Sequence, residues 1–207
     1  MGVHPAPDYA NIYLARRIDK KIKDLLQNYS QNEGQGMSLL LRFLDDIISL
    51  FYGTTKQLHT MLEEINNIHP TLKFTFAHTT PEGEAAEDRC DCPVQKSIPF
   101  LDTSCSVEEG RIRIDLYKKD TDRNQYLLTD SCHPIDCTKN IPYALGLRIV
   151  GICTSLKDRD KRLEELKIIL LERHYPERLV NSALEKARAV PREKALRNVI
   201  RKKEKAS

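Results

Sequence analysis

No apolar run in the sequence approaches the length of a membrane span, and the N-terminus lacks the basic, apolar and small-residue succession of a signal peptide. The first absence argues against membrane-spanning helices. The second leaves an intracellular protein, nuclear or cytoplasmic, as the expectation, with no membrane among its partners. Met1-Gly2 would suit myristoylation, but position six is Ala6 rather than Ser or Thr. Paired zinc-module spacing is missing too: the six cysteines fall as Cys90-x-Cys92, Cys105, Cys132-His133-x-x-x-Cys137 and Cys153. Without a secretory context the thiols are expected to stay reduced, so a disulfide set and a structural zinc both give way to ordinary buried or free thiols.

A large excess of one charge is also absent, since 33 Lys and Arg against 30 Asp and Glu leave +3. The distribution is uneven. Residues 185–207 hold nine Lys or Arg and three Glu, a local +6, which leaves −3 on residues 1–184. The body is therefore not a basic protein, whereas a cationic tail can contact phosphates and make binding salt-dependent. Composition alone fits a solvated helical end equally well.

What is present is room for one sizeable core or two small ones in 207 residues, and periodicity of both kinds. Leu39–Leu44 and Ile47–Phe51 are apolar runs meeting at Asp45-Asp46, which reads as strand, tight turn, strand. Burying two adjacent carboxylates costs several kcal/mol unless a positive group compensates, so the tip is expected to face a metal ion or solvent. Leu14, Ile18, Ile22 and Leu25 mark one amphipathic helix. Leu58, Met61, Leu62, Ile65 and Ile68 mark a second, capped by Thr54 or Thr55 and stopped at His69-Pro70. Leu72–Phe76 alternates as a strand, and residues 79–95 read as an exposed polar loop.

A further strand is expected to begin at Ser97–Thr103, and Arg111–Tyr117 follows Glu108-Glu109-Gly110 as the second strand of a β-hairpin with a short Gly-containing turn. From Asp158 the pattern is helical. Leu163, Leu166, Ile169 and Leu170 form one stripe, His174-Tyr175-Pro176 interrupts it, and Leu179, Val180, Ala183, Leu184 and Ala187 form the next. Helix, short turn, helix fits a helix-turn-helix module, whose second helix can enter a groove. The fold class expected is α+β, with amphipathic helices on a small antiparallel sheet of β-hairpins, then an all-helical region.

Phe43-Leu44-Asp45-Asp46 between apolar strands resembles the Tyr-x-Asp-Asp hairpin of reverse transcriptases, with Phe43 in place of the usual Tyr. Met1, Gly2, Ala6, Pro7, Tyr9, Ala10 and Asn11 match the Met-Gly-x-x-x-Ala-Pro-x-Tyr-Ala-Asn segment of reverse transcriptases from Penelope-like retroelements. Phe100-Leu101-Asp102-Thr103 and Leu116-Tyr117-Lys118-x-x-Thr121-Asp122 are similar to the same family, with Asp120 replacing a common proline, as is much of Tyr126–Ile149. The resemblance implies a partial polymerase palm at 1–128, a helical thumb or helix-turn-helix-like region at 129–190 and a basic tail at 191–207.

It further implies that Asp45 is a direct ligand of Mg²⁺ or Mn²⁺ with Asp46 in support, and that Gly2, Ala6, Pro7, Tyr9 and Phe43 lie against nucleotide and template. RNA template and DNA primer would be the partners. In that family the first catalytic carboxylate lies upstream of this opening segment. The expectation is therefore a fragment of an RNA-directed DNA polymerase, inactive alone unless a partner supplies the missing N-terminal half, since two-metal chemistry needs that further carboxylate.

For phosphate contacts the candidates are Arg148, Lys186, Arg188, Arg192, Arg197, Arg201, Lys202 and Lys203. A structural ion pair is an equal reading for Arg148. Asp102 reads as a structural residue bonding backbone groups, and His133 as a turn residue before Pro134. The alternative function is a non-catalytic helix-turn-helix module that binds nucleic acid or a partner protein.

Overall fold

In the computed structural model the described residues are 5–30, 36–79 and 95–196. The chain divides into two compact units, Met1–Phe100 and Leu101–Ser207. Helices and small antiparallel sheets are combined, so the fold class is α+β.

The first unit opens with α1 (Ala6–Leu14), which buries none of its own residues and has Pro7 in its first turn, where a missing N–H breaks no intrahelical bond. A π-helical turn, Ala15–Asp19, joins it to α2 (Lys20–Ser30). Such one-turn widenings shift the helical face. Here Ile18 and Ile22, 1% and 2% exposed, enter a core with Met61 and Ile65. Those two lie on α3 (Thr55–Asn67), whose start is closed by a capping box. The Gln57 N–H donates to Thr54 Oγ1 at 3.3 Å and the Thr54 N–H donates to Gln57 Oε1 at 2.7 Å.

Strands β1 (Gly36–Phe43) and β2 (Asp46–Tyr52) pair antiparallel, with Phe43 opposite Asp46 and Leu44-Asp45 as the turn. An irregularity in register between Met37 and Leu39 acts as a bulge and shifts the side-chain alternation by one. Met37, Leu40 and Phe51 consequently pack on the helical core, while Leu39, Leu41 and Phe43 face outward and are exposed. The tripeptide Phe-Leu-Asp recurs at 100–102 in a second turn, and Leu44 and Leu101 both adopt φ 53°. Between β3 (Ile98–Phe100) and β4 (Thr103–Glu108) that turn splits what the sequence suggested was one strand.

The expected strand at Leu72–Phe76 does not form. The side chain of Asn66 takes the place of a neighbouring strand: its Oδ1 accepts from the Phe74 N–H at 2.6 Å and its Nδ2 donates to the Phe74 carbonyl at 3.1 Å. Leu72 and Phe74 still pack against the core, which accounts for their apolar alternation.

In the second unit β4 pairs with β5 (Arg111–Leu116) across Glu109-Gly110, with φ 49° and 71°. Two consecutive positive φ values fit a type I′ turn, where Gly110 carries no Cβ penalty. Three helices follow: α4 (Ile135–Ile152), α5 (Leu156–Glu172) and α6 (Glu177–Arg188). Their core is built from Ile149, Cys153, Leu163, Leu166, Leu170, Tyr175, Val180 and Leu184. Helices α4 and α6 approach closely at Gly146, where an added Cβ would stand 2.8 Å from that of Ala187.

Candidate nucleic-acid interface

The Asp45-Asp46 hairpin tip is held from one side by a single arginine. Arg42 donates Nε and Nη2 to the Asp19 carboxylate at 3.0 and 2.9 Å, and Nη1 to Asn11 Oδ1 and to the Leu44 carbonyl, each at 3.0 Å. One guanidinium thus ties α1, the π turn and the hairpin turn together, with both ends of the Arg42–Asp19 pair largely shielded from solvent. Sequence reasoning missed this pin. Arg42 next to Phe43 was its visible signal, but Asp19 lies 23 residues away.

Asp45 and Asp46 are both exposed at the tip. Phe43 is 54% exposed on the face turned away from the core, and Ala6, Pro7 and Tyr9 lie on the exposed α1, Tyr9 at 71%. Gly2 lies outside the described residues. Two neighbouring carboxylates can supply part of a Mg²⁺ shell that substrate phosphates and water complete. They do not fit a two-metal clamp by themselves, and no group of three His, Cys, Asp or Glu among the described residues is placed to hold an ion.

The second unit is organised around crossed ion pairs between β5 and α5. Arg113 and Asp115 share one face of the strand, and Asp158 and Arg162 share one face of the helix. Arg113 Nε donates to Asp158 Oδ2 at 2.7 Å, and Arg162 donates Nε and Nη2 to Asp115 at 3.1 and 2.6 Å. Asp158 is 7% exposed. Burial alone would raise the Asp115 carboxyl, but the Arg162 guanidinium and the Leu116 amide outweigh it and hold the group below the usual carboxylate range. Cys153 donates its thiol to the same carboxylate, and burial first, then that neighbouring charge, pushes the thiol up to about 11.

The turn between α5 and α6 ends α5 in a Schellman motif. The Tyr175 N–H donates to the Leu170 carbonyl and the His174 N–H to that of Leu171, with His174 in the left-handed position at φ 62°. The segment ahead of α4 docks on this turn. Tyr175, 3% exposed, donates its hydroxyl to the Leu127 carbonyl at 2.8 Å, Thr129 Oγ1 donates to the His174 carbonyl at 3.2 Å, and Arg173 Nε donates to that of Asn124 at 3.3 Å. The helical core therefore includes a clasp beginning near residue 124, with Tyr126 packed against it.

The cationic candidates separate into groups. Arg148 is half-exposed and pairs with Asp102 at 2.7 Å, and the pair sits at the surface. Arg148 and Arg162 line a cavity of about 270 Å³, but their charges are already met by Asp102, and by Asp115 and Glu165. Lys186 and Arg188 are exposed in the last turn of α6, and Arg192 is exposed beyond it. Arg197, Arg201, Lys202 and Lys203 lie outside the described residues. Cys132 and Cys137 are exposed, Cys105 is half-buried and Cys153 is buried, all as free thiols; Cys90 and Cys92 fall outside the described residues.

No helix among the described residues is long and apolar enough to cross a membrane. No curated protein and no solved structure matches the chain. Residues 125–185 match the family described as the animal helix-turn-helix domain, a span that starts at the clasp and runs through α4, α5 and most of α6.

Proposed function

We propose that the chain binds nucleic acid through the second unit, with α5, its four-residue turn and α6 as the helix-turn-helix. The match of residues 125–185 to the animal helix-turn-helix domain carries this reading. The second helix of such a motif reads base edges with its N-terminal residues. On α6 the side chains available there are Arg178 and Ser182, both exposed, with Asn181 half-buried beside them. Arg suits guanine and Asn suits adenine in the major groove. Lys186, Arg188 and Arg192 supply positive charge at the other end of the helix. Fluorescence anisotropy of labelled duplexes with the full chain is the test. Salt-dependent binding is expected, with Arg178→Gln costing roughly 1–3 kcal/mol of discrimination between duplex sequences. Absence of binding to duplex or single-stranded nucleic acid at low salt would sink the proposal.

A second reading is favoured by the first unit. The chain is a fragment of a reverse transcriptase of Penelope-like retroelements, with Asp45 and Asp46 as one part of its Mg²⁺ or Mn²⁺ site and the remaining carboxylate supplied from elsewhere. What supports it is the two-residue hairpin presenting Asp45-Asp46, and the bond from Arg42 to Asn11, which links the hairpin to the segment that resembles the family. Metal titration of the full chain and of Asp45→Asn distinguishes the two readings. Metal binding lost in Asp45→Asn supports the polymerase fragment, and an unchanged titration removes it.

A further inference from the structure

We infer that the groove between the end of α4, the start of α5 and the segment after α6 is a clamp for the phosphate backbone of a nucleic acid, formed by Arg159, Arg188 and Arg192 and opposed by Asp160. The inference rests on the helix-turn-helix reading and adds a second contact surface to it. The three arginines line one groove together with Val150, Leu156 and Pro191. Asp160 is shared by two of them: its Oδ1 accepts from Arg159 Nε at 3.1 Å and Nη2 at 3.0 Å, and lies 3.4 Å from Arg188 Nε. Arg192 is exposed and has no ion pair among the described residues. The groove thus carries three guanidiniums of which one carboxylate meets two, and among the described residues Arg188 is paired only through its long 3.4 Å contact. Guanidiniums are planar, always charged, and match phosphate oxygens two at a time, so this groove suits phosphodiesters better than point-like anions. Arg178 and Arg188 lie ten residues apart on α6, about 15 Å along the axis, which places base reading and backbone grip at opposite ends of one helix.

Asp160 acts here as an internal competitor. Phosphate must displace it from Arg159 and Arg188, so its removal should tighten binding rather than weaken it. The test uses the full chain and a short labelled duplex, with anisotropy titrations across a salt series and far-UV circular dichroism to confirm folding. Arg159→Gln and Arg192→Gln should each weaken binding roughly three- to tenfold, irrespective of duplex sequence, and lower the salt slope by about one. Asp160→Asn should tighten binding roughly threefold or more, and Glu172→Gln, the same charge change on the exposed far end of α5, should do markedly less. If the duplex binds but neither arginine variant matters, the clamp is wrong and the helix-turn-helix reading stands. Equal responses to Asp160→Asn and Glu172→Gln reduce the effect to bulk charge and also overturn it. A wild-type chain that binds no nucleic acid overturns both, and selective capture of an acidic peptide by the groove overturns the clamp alone.

Discussion

Replacing Gly146 by alanine would place a methyl carbon 2.8 Å from the Cβ of Ala187 and 3.2 Å from a Leu184 methyl. Carbon atoms in good packing stand about 3.5–4.0 Å apart, so the helices would have to separate by several tenths of an ångström. Ala187 cannot rotate away, and it is fully buried. Overpacking of this kind costs about 1–3 kcal/mol, against about 1 kcal/mol gained from the better helix propensity of alanine. A net loss of about 1 kcal/mol is expected.

Ala187→Gly alone should lose about 2 kcal/mol, from propensity and one buried methyl. In the double variant the methyl merely moves from α6 to α4 and the propensities cancel, so stability should return close to that of the parent. The coupling is then about 2–3 kcal/mol, at the upper end for touching residues. The chain has no tryptophan, so urea unfolding by far-UV circular dichroism is the assay, with hydrogen exchange at α4 and α6 amides to assign the transition to the second unit. Additive effects within about 0.5 kcal/mol, or a stabilised Gly146→Ala, would refute the close helix crossing.

His174 occupies a left-handed position that glycine accepts without penalty, so His174→Gly should stabilise the α5–α6 turn by about 0.5–1 kcal/mol and His174→Val should destabilise it, as read by thermal melts. The carboxyl of Asp115 is lower in the folded chain than in the unfolded one. Its contribution is therefore complete above the ordinary carboxylate range and disappears as pH falls through the folded value. Asp115→Asn should lower stability at neutral pH and flatten the acid limb of a stability-against-pH curve; an unchanged limb would assign acid sensitivity elsewhere. At pH 8 a maleimide should label Cys132 and Cys137 in the native chain, whereas Cys153, buried and pushed up to about 11, should react only on unfolding.

Local periodicity made much of the fold legible. The stripe through Leu14, Ile18 and Ile22, a cap at Thr54 or Thr55, the Gly-containing turn within Glu108-Glu109-Gly110 and the break at His174-Tyr175-Pro176 are all statements about residues within one or two turns of one another. Where the sequence misled, a partner outside the element had intervened. Leu72–Phe76 alternates like a strand, yet Asn66 satisfies the Phe74 backbone. The charges at 113, 115, 158 and 162 carry a readable spacing of two on a strand and four on a helix, but nothing local says that the two sets meet. The Asp45-Asp46 turn was legible as geometry. Arg42 holding it through Asp19 was not, because the pairing is tertiary.

The clasp of Asn124–Thr129 on the α5–α6 turn has a kinetic consequence. Its bonds join residues 45, 48 and 49 positions apart. Closing a loop of that length costs roughly 3 kcal/mol of chain entropy beyond a constant, which a few hydrogen bonds cannot recover until the helices they rest on exist. The helices should therefore assemble first and the clasp should close last. In the native state the same order runs in reverse, and the amides of the α5–α6 turn should exchange with solvent through clasp opening, well before the core of α5 does. The angle between the two helices is then set by a strand of chain that precedes both of them, and a version of the domain started at α4 would keep its helices while losing the device that fixes how they are presented.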